Sequence, residues 1–200
     1  MRHPLPLSIP EGYKVAVTQP FGDKSNVDWY HKNGLNIDSH NGVDLIIVFE
    51  GCTRPQQMAA TYGTKIVSPV PAHLDQKWWT TPLSSQGNGV QVSWRDGVDK
   101  ISMRTWHCSE VYAKPNYEAL ETLGLIGNSG LVWPAPNNAC VLCGSHLHLM
   151  TYKNGTLVDP ETIFDYTKWH VSEDTGVEKD LAPFFHFLGK IKDMVFSFSK

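Results

Sequence analysis

Nine histidines occur in this chain, and four of them, His40, His107, His146 and His148, fall where their chemistry can be combined. His146-Leu147-His148 lies in a segment, 145–152, that reads as a strand. Residues i and i+2 of a strand point to one face, about 6.6–6.8 Å apart along the backbone, so both imidazoles can look into one small cavity. His40-Asn41-Gly42-Val43-Asp44 adds a further imidazole and a carboxylate. Fully extended, that pair would span ~13 Å, too far to share one ion. Asn41-Gly42 is a strong two-residue turn signal, and a bend there would return His40 towards Asp44. A helix would also bring the two together, but Gly42 and the β-branched run after it oppose one. His107 closes a strand that begins near Lys100. Imidazoles and a carboxylate are the ligand types of a catalytic zinc, which lowers the pKa of bound water towards ~7. The sequence holds no HExxH, so no glutamate is placed as a base and a spare histidine would have to take the proton. Cys140-Val141-Leu142-Cys143 also has ligand or redox spacing, but no second such pair accompanies it.

The elements that must position these side chains are short strands. Val15-Ala16-Val17-Thr18, the apolar run 44–49, 63–70, the alternating segments 89–94 and 100–107, and 145–152 all read as β. Asp96-Gly97 and Asn154-Gly155 supply hairpin turns. Residues 23–43 and 72–88 read as polar loop, and 116–123 as an internal helix stopped by Gly124. The expectation is a mainly β (α+β) domain over 1–168 with an antiparallel core and long loops, followed by a tail, 169–200, that carries an amphipathic helix. Apolar residues make up 41% and charged residues 18%, which excludes a disordered acidic or basic chain. A net charge of −3 also argues against a nucleic-acid partner. No run approaches the ~18 apolar residues of a membrane span. Membrane contact is left to the terminal helix and its few lysines. The first ten residues have no signal-peptide pattern.

His40-x-x-x-Asp44, Gly63-Thr64-Lys65-Ile66-Val67-Ser68-Pro69, Gly87-Asn88-Gly89-Val90-Gln91-Val92, Gly127-Asn128-Ser129-Gly130 and Ser145-His146-Leu147-His148-Leu149, with Asp159-Pro160 after them, resemble the lysostaphin/LytM-type zinc peptidases of the M23 family. The resemblance covers roughly residues 15–162. It implies the LytM/lysostaphin β core, zinc held by His40, Asp44 and His148, and catalytic roles for His107 and His146. It also implies a zinc-dependent endopeptidase that hydrolyses cross-links or stem peptides of bacterial peptidoglycan, through zinc-activated water assisted by two histidines. Such a chain would act at the bacterial cell wall. Without an export signal it reads as a phage-type lysin or virion-associated protein, released by lysis or particle delivery. The chain departs from the family at Trp106-His107-Cys108, where an aromatic-x-His-Leu motif is usual, and in longer loops at 71–86 and 131–143. Trp78, Trp79 and Trp133 lie in loops and are candidate substrate-binding residues, whereas Trp94 and Trp106 alternate into the core. His3, His31, His73, His170 and His186 read as surface residues. Two other readings compete: a carbonic-anhydrase-like or cupin-like site in which both HxH histidines ligate, and a non-catalytic, peptidoglycan-binding relative.

Overall fold

The computed structural model describes residues 2–49, 61–79, 87–130, 132, 144–165 and 169–170. Its strands are β1 (His3–Pro4), β2 (Tyr13–Gln19), β3 (Val43–Phe49), β4 (Lys65–Val67), β5 (Ala72–Trp78), β6 (Gly89–Asp96) and β7 (Asp99–Trp106). They continue with β8 (Cys108–Val111), β9 (Asn116–Tyr117), β10 (Thr122–Ile126), β11 (Leu147–Lys153), β12 (Thr156–Val158), β13 (Phe164–Asp165) and β14 (Trp169–His170). A short helix, α1 (Val27–Lys32), precedes β3. The large sheet runs β14-β2-β3-β11-β7-β6-β5-β9, with β12 also on β11. A second sheet runs β4-β10-β8, and β1 pairs with β13. All pairings are antiparallel except β1–β13 and β14–β2. The mainly antiparallel β class expected from the sequence is the class observed.

Strand alternation decides what the large sheet presents on each side. Leu45 and Ile47 of β3, Leu147 and Leu149 of β11, Ile101 and Met103 of β7, and Val90 and Val92 of β6 join one core cluster. The intervening positions, Asp44, His148, Arg104, Trp106 and Gln91, therefore share the opposite face. Two hairpin turns follow their residues closely. Gly97 has φ 61° between paired Asp96 and Asp99, with Val98 outside the left-handed region, the signs of a type II′ turn. Asn154 and Gly155 have φ 52° and 83° between paired Lys153 and Thr156, the signs of type I′.

Four expectations fail. The helix over 116–123 is absent: Tyr117 and Leu123 are buried on separate strands, and Leu120 takes φ 64° between them. Tyr117 pairs with Ala72, and its hydroxyl donates to the Tyr112 carbonyl at 2.6 Å, so tertiary contacts override a good helical composition. Residues 72–78 are a strand, β5, with mostly exposed polar side chains and no β-branched residue to mark it. Within 23–43 the chain forms α1, which buries only Tyr30 and is too short for a visible period. His3 also departs from expectation: it is half-buried and meets the Trp94 ring edge-on at 5.4 Å. The amphipathic helix expected in the tail, Trp133, Cys140 and Cys143 lie outside the described residues.

Candidate metal centre

Asp44 of β3 and His148 of β11 are direct partners across the antiparallel pair, so register alone sets them side by side. His40 arrives from the bend just before β3, held by His40 N–H donation to the Asp23 carbonyl at 2.7 Å. Its ring stacks on Tyr30 at 6.4 Å and 14°. The Tyr30 hydroxyl donates to Gln19 Oε1 at 2.8 Å, and Gln19 Nε2 donates to Asp23 Oδ2 at 2.9 Å, so α1 and the end of β2 brace this imidazole. No sequence signal marks Tyr30 or Gln19 for that task.

Gly42 does something other than turn. Its φ is not in the left-handed region. A Cβ there would lie 2.7 Å from His148 Nε2 and 2.7 Å from the Leu149 carbonyl oxygen. The bare Cα is what lets His148 lie against the bend. Gly42→Ala should therefore push the His148 ring off Asp44 and weaken metal binding by about 10–100-fold, as loss of an outer support does. Competition with a chromophoric chelator measures this, and an unchanged affinity would reject the steric role.

His40 Nε2, Asp44 Oδ1 and His148 Nδ1 lie 2.8–3.2 Å from one another. Four tetrahedral bonds of about 2.0–2.1 Å put ligand atoms about 3.3 Å apart, close to this triangle. The protonation pattern also fits a cation. His40 Nδ1 donates to the Pro20 carbonyl at 3.1 Å, which leaves a lone pair on Nε2 facing the Asp44 carboxylate. A proton on His148 Nδ1 satisfies Asp44 but not that lone pair, whereas one divalent ion satisfies all three. The residues present fit zinc. Burial opposes ionisation of Asp44, but His40 and His146 beside it and hydrogen bonds from His148 and His40 reverse that, holding its carboxyl well below the usual range. Burial likewise opposes charge on His40, yet Asp44 and the Pro20 carbonyl raise its pKa. His148 is depressed, first by burial, against the pull of Asp44.

Two more imidazoles border the triad. His107 is the one residue between β7 of the large sheet and β8 of the small one, and it turns the chain between them at φ 64°. Its Nδ1 donates to the Ser129 carbonyl at 2.7 Å. Ser129 is itself fixed, its hydroxyl donating to the Cys108 carbonyl at 2.8 Å and accepting from Asn88 N–H at 2.9 Å. His146 donates Nδ1–H to the Gly144 carbonyl at 2.7 Å and brings Nε2 to 3.6 Å from Asp44 Oδ1. The two rings lie 4.6 Å apart, and His107 is 6.0 Å from the His148 ring. Burial first, then His146 and His148, push the His107 pKa well down, so this imidazole is neutral at pH 7. All five side chains thus gather in one cluster. Of the tryptophans, Trp78 packs on Trp106 at 4.5 Å, and Trp79 is 67% exposed.

No family model matches the sequence, and no curated protein does. Solved structures do match in fold. A zinc-containing peptidase from Vibrio cholerae superposes with a TM-score of 0.52 and 17% identity over 83% of this chain, which spans 41% of that longer one. The chain has the fold of the M23 zinc peptidases. SpoIIQ in the SpoIIQ–SpoIIIAH pore-forming complex gives 0.53 and 17% over 82% of this chain and 91% of its own. The catalytic domain of lysostaphin from Staphylococcus simulans gives 0.48 and 20% over 75% and 90%. One fold thus serves a peptidase and a component of a pore-forming complex, so activity has to be read from the site.

Proposed function

We propose that this chain is an M23-type zinc endopeptidase that hydrolyses peptide bonds of bacterial peptidoglycan and works at the cell wall. The observation that supports it is the convergence of His40, Asp44 and His148 within 3.2 Å, with two spare imidazoles alongside. When bound there, zinc would polarise the scissile carbonyl and acidify water. His40, Asp44 and His148 would hold the ion. His107 and His146 each bond a backbone carbonyl through Nδ1, so in the neutral imidazole the lone pair lies on Nε2, which serves as the acceptor. His146 Nε2, nearest the triad, takes the proton of the attacking water and passes it on to the leaving amine nitrogen. His107, fixed through Ser129, orients that water and, once protonated, can donate to charge developing on the carbonyl oxygen. No covalent intermediate is needed.

Purified cell walls of several cross-link chemistries, incubated with and without chelator, test this reading. The expected result is release of new peptide termini, identified by mass spectrometry, that stops with chelator and returns with zinc. Walls of every type left intact by the zinc-loaded chain would reject it and favour the binding relative. A second metal reading has one observation behind it. His146 Nε2 lies only 3.6 Å from Asp44 Oδ1, near enough for both HxH histidines to ligate after a small shift.

A further inference from the structure

The sheet face that bears Asp44 and His148 continues outward across β7, β6 and β5. Trp106 is opposite His148, Arg104 is opposite both Met150 and Gln91, and Trp78 is opposite Gly89. Gly89 leaves room at the centre of this surface. A Cβ there would lie 2.7 Å from Trp106 Cε3 and collide with the Thr105 carbonyl. The Trp106 ring therefore crosses β6 and meets Trp78, the centroids 4.5 Å apart. Arg104 lies on the resulting aromatic floor. Its guanidinium carbon is 5.0 Å from the Trp78 ring, 5.8 Å from Trp106 and 5.1 Å from Tyr152.

Three rings satisfy the faces of this cation but not its edge. Arg104 Nε donates to Gln91 Oε1 at 2.9 Å, and Gln91 is itself anchored by donation to Asp75 Oδ2 at 3.2 Å. The two terminal nitrogens remain. Among the described residues no carboxylate pairs with Arg104, although Lys100, Lys114 and Lys153 each have one. A half-buried guanidinium, oriented by a hydrogen bond and three rings, with its outer N–H groups unspent, is a two-point receptor for a carboxylate. Its place matters too. Strand geometry puts the Arg104 Cα about 8 Å from that of His148, or about two extended residues of a bound peptide.

We infer that Arg104 is a carboxylate-binding subsite on the metal-bearing face, taking a free carboxylate of the substrate peptide about two residues from the bond that is cut. This rests on the peptidase reading and narrows it: carboxylated stem-peptide junctions fit, and uncharged glycine bridges do not.

The experiment uses one cell-wall preparation with free stem-peptide carboxylates, half of it amidated with carbodiimide and methylamine. Hydrolysis by zinc-loaded wild type and Arg104→Gln is measured on both halves, as is retention of a soluble muropeptide pool prepared from each half. Wild type should prefer the free-carboxylate material by about 10–100-fold, the worth of one charge-assisted pair, and Arg104→Gln should erase that preference at unchanged zinc stoichiometry. Arg104→Lys should restore only part of it. If nothing is cut but the binding preference appears and depends on Arg104, the subsite stands and the peptidase reading falls. Equal handling of free and amidated material by wild type, the same preference in Arg104→Gln, or no binding and no cleavage of either half would each overturn the subsite.

Discussion

In Asp44→Asn, zinc affinity should fall by more than about a hundredfold and wall hydrolysis should fall with it. Losing an outer partner of a ligand costs about 10–100-fold, and here the loss is the single anionic donor of the triad. The amide keeps the shape of the carboxylate and the β3–β11 pairing is made by backbone, so the fold should persist. What disappears is the charge that offsets a dication between two neutral imidazoles. The same charge raises the His40 pKa above its ordinary 6.5 despite burial. Without it His40 loses the largest of the influences that raise its pKa, and in the metal-free variant it should titrate lower than in wild type. The sign carries into stability. A raised folded pKa stabilises the metal-free wild type fully below 6.5, and that gain fades as pH rises through the raised value. Asp44→Asn should lose this acid-side gain. Metal competition assays, imidazole titration by NMR and melts across pH check the three consequences. Zinc affinity within tenfold of wild type would remove Asp44 from the ligand set.

Much of this centre was legible because it depends on local rules. HxH on a strand puts two imidazoles on one side whatever the fold, and the Gly97 and Asn154-Gly155 turns are written in residues that tolerate left-handed φ. The Asn41-Gly42 bend was legible as well, though for the wrong reason: Gly42 matters through contact with His148, a residue 106 positions later in the chain. Contacts across sheets left no local trace. The pairing of Asp44 with His148, the use of His107 as the joint between two sheets and the bracing of His40 by Tyr30 all depend on strand order. The failed helix at 116–123 has the same cause, because Tyr117 and Leu123 are claimed by strands that the local composition does not announce. Arg104 escaped notice for a related reason. In sequence it is one charge in an alternating strand, and only registration with β5, β6 and β11 surrounds it with rings.

His146→Ala and His148→Ala should separate the two histidines of one motif. His148 Nδ1 stands 2.8 Å from Asp44 Oδ1 and 3.1 Å from His40 Nε2, inside the triangle. His146 Nε2 is 3.6 Å from Asp44 and its ring leans on His107 at 4.6 Å. His148→Ala should therefore lose the metal, and activity with it. His146→Ala should keep about one zinc per chain and lose hydrolysis by about 10²–10⁴-fold, the usual worth of a positioned general base. Two controls sharpen the comparison. His107→Ala should also keep its zinc, and the His107/His146 double variant should be little slower than the worse single, since groups that move one proton act as a unit. Metal analysis after gel filtration and initial rates on one wall preparation give both quantities. Zinc lost equally in His146→Ala and His148→Ala would make both imidazoles ligands. The fold would then host a different metal chemistry, with His107 as the remaining candidate for proton transfer.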